Sequence, residues 1–544
     1  MRFFEKTKLI KQQFLPITIL SLYLWVLFTL QAISIDIGLT KIFFLMLFVI
    51  SVVVSTLIIR LFYKKIDTIL FERHLKSPSI CGFVVGVIIF AFYVVYLLGQ
   101  YPGGMSPDTL TQYTQAIEGQ YSDWHPVLHT LLFFTLPLKI KNGLDFIVFC
   151  QISYFSIAIG YLTYVLAKNG FGKTGIFCWA FYLCINPFLV TYLMYPWKDL
   201  ALTIFSVHIL ACYIEIFCSK GLWLKRKMNL IIFSAILVAG TYMRHNAILF
   251  TFPLLVLILA YILKDKKTRI FLLGTVMCFC IMVQFLYSFL EVEQADKRVI
   301  ETVGLPVTIW CNVMQNNPDV LPEESREFMY SLATKESYEN NYITGNFNTI
   351  KFSGNIDTNK IDELSYWEVL KYTLQCFQCA PKESLEALAK LTDIIWDIDG
   401  KFGPITPGVV ENNYSIYTNH YLHAETIVNQ VKVFFADGFG RIIFGSFGFM
   451  ILVLLIVSLL LFVNRRKSIL HIIPILVYNF GTMLLLSGDD YRFFILPTPI
   501  WIPLIFVMLK ERNIFGKKAN SCYAKICYES KSDSSHATIH EVSV

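Results

Sequence analysis

Apolar residues in this chain fall into long, nearly unbroken runs rather than at helical or strand spacing. They cover 14–33, 41–60, 79–99, 144–166, 174–195, 199–218, 228–243, 247–263, 269–290, 442–463, 468–487 and 492–510. A bilayer core of about 30 Å needs around 20 such residues in a helix. The pattern predicts an all-α polytopic membrane protein with about twelve transmembrane helices. Val127–Ile140 is a further apolar stretch of about 14 residues, too short to span comfortably. No small-residue cleavage site follows the first run, which therefore reads as a retained helix.

Composition agrees. Of 544 residues, 56% are apolar and only 16% charged, against roughly a quarter charged in soluble domains. A disordered chain, a collagen and a disulfide scaffold are excluded. The net charge of +7 would suggest nucleic acid in a soluble protein. Here its distribution along the chain reads instead as topology, with no nucleic-acid partner.

If Val127–Ile140 does not span and the N-terminus is cytoplasmic, 28 of the 46 Lys and Arg lie inside. Six then lie in short external loops and 12 in the segment 291–441, which such counts ignore. If Val127–Ile140 spanned, the basic clusters from Lys168 to Lys267 would move outside. It therefore reads as interfacial or re-entrant, with both termini cytoplasmic. The resulting organisation is a three-helix membrane segment (1–99), an external loop with interfacial helices (100–143) and a six-helix membrane core (144–290). A mainly helical external domain (291–441), a three-helix membrane segment (442–510) and a cytoplasmic tail (511–544) follow. The external domain holds 22 acids against 12 bases, helical patches at Pro322–Leu332 and Tyr366–Leu391, and a Cys376-x-x-Cys379 pair. That pair reads as core-facing thiols or a local disulfide before a redox or metal pair.

Ionisable groups at membrane depth are costly and usually functional, and the unusual polar clusters all fall on the external face of this topology. In the first loop, Ser106 is an N-cap candidate, Pro107 suits the first helical position and Asp108 sits in the first turn. Asp108, Gln112 and Gln115 share one helical face. Trp124-His125-Pro126 follows, and His125 and His129, four apart, could hold a metal with Asp123 or Asp108. Helix capping is the commoner role for such residues. Between the fifth and sixth runs lies Tyr195-Pro-Trp-Lys-Asp199, where Lys198 and Asp199 read equally as a self-neutralised pair. Arg244-His245-Asn246 fills the next external turn, and Ser487-Gly-Asp489-Asp490-Tyr-Arg492 precedes the last run. Lys198, Arg244 and Arg492 are thus external cations at the membrane edge, where a lipid phosphate would sit. Arg meets phosphate bidentately and Lys offers a point charge.

These motifs resemble the GT-C superfamily of integral-membrane glycosyltransferases, which includes protein O-mannosyltransferases and the aminoarabinose transferases of lipid A. Asp108 in SPDTLTQYTQA matches the position of the family's loop acid, and Asp199 resembles its second acid. The SPDT…DWHPVLHTLL stretch looks like a bacterial branch of that superfamily. The resemblance is specific over 100–145, loose over 146–290 and architectural beyond. It implies a GT-C type fold and a polyprenyl-phosphate sugar donor. It also implies inverting transfer to a glycan, lipid or protein acceptor on the external face of the cell membrane. Asp108 would be the general base, with Asp199 as the second catalytic acid. Arg244, Lys198, Arg492 and His125 would bind the donor phosphate. Gln112, Trp124, His245, Asn246, Asp489 and Asp490 would position substrate. A single Asp followed by Thr109 replaces the Asp-Glu or Asp-x-Asp of many members, so a divalent cation stays an open alternative and no cofactor is assigned. A polysaccharide polymerase or ligase using lipid-linked oligosaccharide, and a lipid-linked-glycan transporter, are the competing functions.

Overall fold

The computed structural model describes residues 2–37, 40–68, 77–295, 298–400, 405–418, 424–464, 467–488 and 490–515. It is helical, with isolated β-bridges and no strand among the described residues. The helices that position the site are α1 (Arg2–Ser34), α2 (Lys41–Phe62), α3 (Pro78–Gly99), α4 (Pro107–Glu118), α5 (Val127–Ile140) and α6 (Leu144–Lys168). Next come α7 (Lys173–Ile185), α8 (Pro187–Leu193), α9 (Lys198–Cys218), α10 (Lys227–Thr241), α11 (His245–Ile262) and α12 (Lys266–Phe289). The external segment contributes α13 (Gly304–Asn316), α14 (Tyr366–Cys379), α15 (Pro381–Trp396) and α16 (Ala424–Ala436). The chain closes with α17 (Phe447–Val463), α18 (Ile469–Met483) and α19 (Trp501–Phe515).

Among the described residues, seven helices are long and apolar enough to cross a membrane, or nine if each of two bent pairs is one span. The run expected over 174–195 is one such pair. It bends by 60° at Asn186-Pro187, where the Asn186 side chain accepts from the backbone N–H of Phe188 and Leu189. The other bends by 66° before Phe447. Helices α10, α18 and α19 are 15 residues each. Most of α12 is apolar and exposed, a surface suited to lipid rather than water.

The turns between helices gather at two ends of the bundle. At one end Tyr63 meets Asn464, Lys168 meets Glu215, and Tyr261 and Lys467 meet Glu511. At the other, Asp36 pairs with Lys382, and the Gly104 N–H donates to the Met194 carbonyl. There too Asp123 bonds Glu293, and Asn348 bonds Ser487. Helix α5 starts at this second end, where Gln112 holds His129 and Thr130 and the Leu128 N–H donates to Tyr287 Oη. Gly103 packs on Val148, so the chain leaves and returns at one level, with α4 and α5 between.

Two hydrophobic cores follow. The larger fills the bundle and takes in 389–396 of α15; the smaller, from Ile300 to Ala387, is built on Trp310, Met329, Tyr338 and Cys376. Cys376 is buried and Cys379 exposed, so only one thiol of the pair faces the core. The patch expected over 366–391 breaks at Ala380-Pro381 into α14 and α15. A capping box of Ser365 with Glu368 starts α14.

Candidate functional site at the loop end of the bundle

Asp108 owes its place to local rules. The Thr109 N–H donates to Ser106 Oγ, Pro107 occupies the first helical position, and Gly119 ends the helix in the left-handed region. Ser106 Oγ also accepts from the Trp197 indole N–H at 2.7 Å. The Trp197 ring stacks on Tyr195, centroids 4.2 Å apart and planes 6° off parallel. This approach requires glycine at 104, because a Cβ there would run into the Tyr195 ring. Tyr195 Oη accepts from the Gly408 N–H, so segment 405–418 is fastened to the same stack. That segment also bridges Val409 to Met105 and bonds Tyr414 to Thr114.

Lys198 and Asp199 open α9 directly after Trp197, with Pro196 keeping the preceding turn out of the helix. The guanidinium of Arg492 lies 5.0 Å from the Trp197 ring and 5.1 Å from that of Phe493. Its Nη1 is 3.2 Å from Asp108 Oδ2, and its Nε is 2.7 Å from Asp490 Oδ2. Lys198 Nζ lies 3.9 Å from the same Asp108 oxygen and donates to His125 Nδ1 at 3.2 Å. Asp108, His125, Lys198, Asp490 and Arg492, drawn from three distant stretches, therefore meet at one place.

Beneath them, Arg244 pairs with Asp199 at 2.5 Å, the side chains 10% and 1% exposed. Arg244 also donates to Tyr478 Oη and the Phe493 carbonyl, and stacks on Phe493 from 4.6 Å. Phe493 thus lies between two guanidiniums. The three cations expected at the donor phosphate lie at different depths: Arg244 is buried on Asp199, while Lys198 and Arg492 are partly exposed beside Asp108.

Burial tends to raise the Asp108 pKa, but Lys198, Arg492 and His125 together hold it below the usual carboxylate value. Burial and the Lys198 charge push His125 down to about 4 against the pull of Asp108, so it is neutral at neutral pH. Accepting from Lys198 at Nδ1 then leaves its proton on Nε2. Burial raises Asp490 despite Arg492 beside it.

Other expected positions have different work. Gln112 is buried and donates to His129 Nδ1 and Thr130 Oγ1, tying α4 to α5 rather than facing substrate. Trp124 is exposed, and its backbone, with that of Asp123, hydrogen-bonds His245. Asn246 donates to Thr482, a tie between α11 and α18. Asp489 lies outside the described residues. His125 and His129 take different partners, and no group of three or more His, Cys, Asp and Glu arranged to hold a metal occurs among the described residues. Sequence reasoning missed Trp197, Tyr478, Phe493 and segment 405–418. Trp197 sits inside one of the polar motifs but carries no charge to single it out, and nothing in the polar stretch 405–418 announces its contacts.

No family model, curated protein or solved structure matches the chain.

Proposed function

We propose that this chain is a GT-C type membrane glycosyltransferase. It moves a sugar from a polyprenyl-phosphate donor to a glycan, lipid or protein acceptor on the external face of the cell membrane, as part of envelope glycan assembly. The observation that carries this reading is the meeting of Asp108 with Lys198 and Arg492, all partly exposed, at the bundle end where α5 lies. A carboxylate beside two cations, next to an apolar interfacial helix, suits a substrate that brings a phosphate on a lipid.

Twelve spans with both termini cytoplasmic is the topology we adopt. Two helices shorter than a comfortable span, α10 and α18, connect turns at opposite ends of the bundle, and α19 reaches the far end at Glu511 together with the 495–500 segment before it, which supports counting all three. The distribution of Lys and Arg orients the site outward.

In this reaction Asp108 takes the proton of the acceptor hydroxyl as its oxygen attacks the anomeric carbon. The new C–O bond forms as the bond to the phosphate oxygen breaks on the opposite face. The electron pair leaves with the polyprenyl phosphate, whose charge Arg492 and Lys198 meet. Positioned proton transfer of this kind contributes about 10²–10⁴-fold. Neutral His125 orients the lysine amine. Asp199 acts through Arg244, which braces Phe493 under Arg492. The 291–441 domain selects the acceptor.

Binding of undecaprenyl phosphate to the purified protein in nanodiscs tests the donor site. Arg492→Gln is expected to weaken it about 10- to 100-fold, the loss of a charge-assisted contact. Unchanged affinity would remove Arg492 from the site and the lipid-phosphate reading with it.

A further inference from the structure

We infer that Asp108 and the donor's phosphate compete for the same two cations, so that phosphate binding is what releases Asp108 to act as base. This rests on the lipid-phosphate reading above and adds an order to it.

The geometry decides which partner gives way. Arg492 is held on several sides: Asp490 Oδ2 lies 2.7 Å from its Nε, Asp490 Oδ1 accepts from its backbone N–H at 3.0 Å, and the Trp197 and Phe493 rings flank it. Trp197 is pinned in turn by Ser106 and Tyr195. Lys198 is the first residue of α9 and is held by His125. Asp108 has no comparable hold. Its side chain is 34% exposed, against 19% for each cation, and both of its ion pairs run through one oxygen, Oδ2. A phosphate oxygen at Arg492 and Lys198 would displace that carboxylate and leave the cations where they are.

The charges around Asp108 give the consequence. His125 faces it from the 119–126 turn, Lys198 from α9, and Arg492 from the 490–494 turn with Asp490 behind. Asp199 and Arg244 lie beneath, His129 of α5 lies below His125, and Tyr414 of segment 405–418 reaches the same helix at Thr114. The two cations keep the carboxylate a weak base. Once a phosphate neutralises them, its proton affinity rises. An acceptor arriving before the donor meets an Asp108 still paired to the two cations, so transfer waits for the phosphate.

The test reads Asp108 itself. Carbodiimide couples amines to the protonated carboxyl, so the extent of Asp108 modification against pH, followed by mass spectrometry, gives its titration midpoint. The full chain in nanodiscs is measured alone, with undecaprenyl phosphate, and with inorganic phosphate. Undecaprenyl phosphate is expected to raise the midpoint by about 1 pH unit or more, the size of effect one adjacent cation exerts. An equal rise with inorganic phosphate supports the competition and assigns it to the headgroup alone. Lys198→Gln is expected to raise the midpoint without any phosphate and to shrink the further rise. Bound undecaprenyl phosphate with an unmoved midpoint overturns the inference and leaves the donor site standing. Failure of undecaprenyl phosphate to bind at all overturns the donor reading, and the inference falls with it.

Discussion

His125 sits in the cluster itself, and its departure from ordinary histidine behaviour can be measured directly. Its folded-state pKa of about 4 lies below the ordinary value of about 6.5. As pH falls, the unfolded chain binds this proton first, so the stability His125 contributes is complete above about 6.5 and is lost progressively towards 4. The thermal unfolding midpoint of the purified protein should therefore fall across that window, and His125→Gln should make the fall shallower. An unchanged slope would show that Lys198 and burial do not act on this ring as described. At this scale much of the site was legible. Asp108 stood at a capped helix start, and Lys198, Arg244 and Arg492 stood out as cations in short polar motifs between apolar runs. Their ranking was not legible. Arg244 is buried because Tyr478 and Phe493 close over it, and no local pattern brings α18 and the 491–494 turn to that place.

Among the elements, α3 and α6 cross closely through glycine. Gly82 and Gly86 face Gly160, and a Cβ at 160 would lie 3.0 Å from the Gly82 carbonyl oxygen and 3.4 Å from the Gly86 Cα. These are backbone atoms and cannot turn aside, as small-residue crossings in membranes require. Gly160→Val should lower stability by about 1–3 kcal/mol, the usual cost of overpacking. Chemical unfolding in mixed micelles measures it, and a wild-type midpoint would contradict the close crossing. Element existence was readable from apolar runs, and α5 was readable as a shorter apolar helix. The bend between α7 and α8 was readable too, since Asn186-Pro187 is a cap followed by a first-turn proline, yet the run reads as one span. What no run could reveal is that α14 and α15 divide their loyalties. Val369, Tyr372 and Cys376 of α14 serve the smaller core, while Leu391 to Trp396 of α15 serve the bundle.

On the scale of the whole molecule the account is a statement about sides. The described part of the insert, the loop carrying Asp108 and the turns at 194–198, 242–247 and 490–494 share one end of the bundle, and Lys198, Arg244 and Arg492 lie there. Cys379 is an exposed thiol within the insert. A membrane-impermeant maleimide should label it in intact cells, and Cys379→Ser should remove that label. Labelling only after lysis would place the site in the cytoplasm and reverse the topology. The most direct measurement of the central claim works whichever sugar is transferred. Surface glycans of cells lacking this chain are compared by mass with those of cells given back either the wild-type protein or Asp108→Asn. The account predicts that Asp108→Asn is made and inserted normally yet leaves the glycan short of the same sugar as in cells without the protein. Full restoration of that sugar by Asp108→Asn would contradict it.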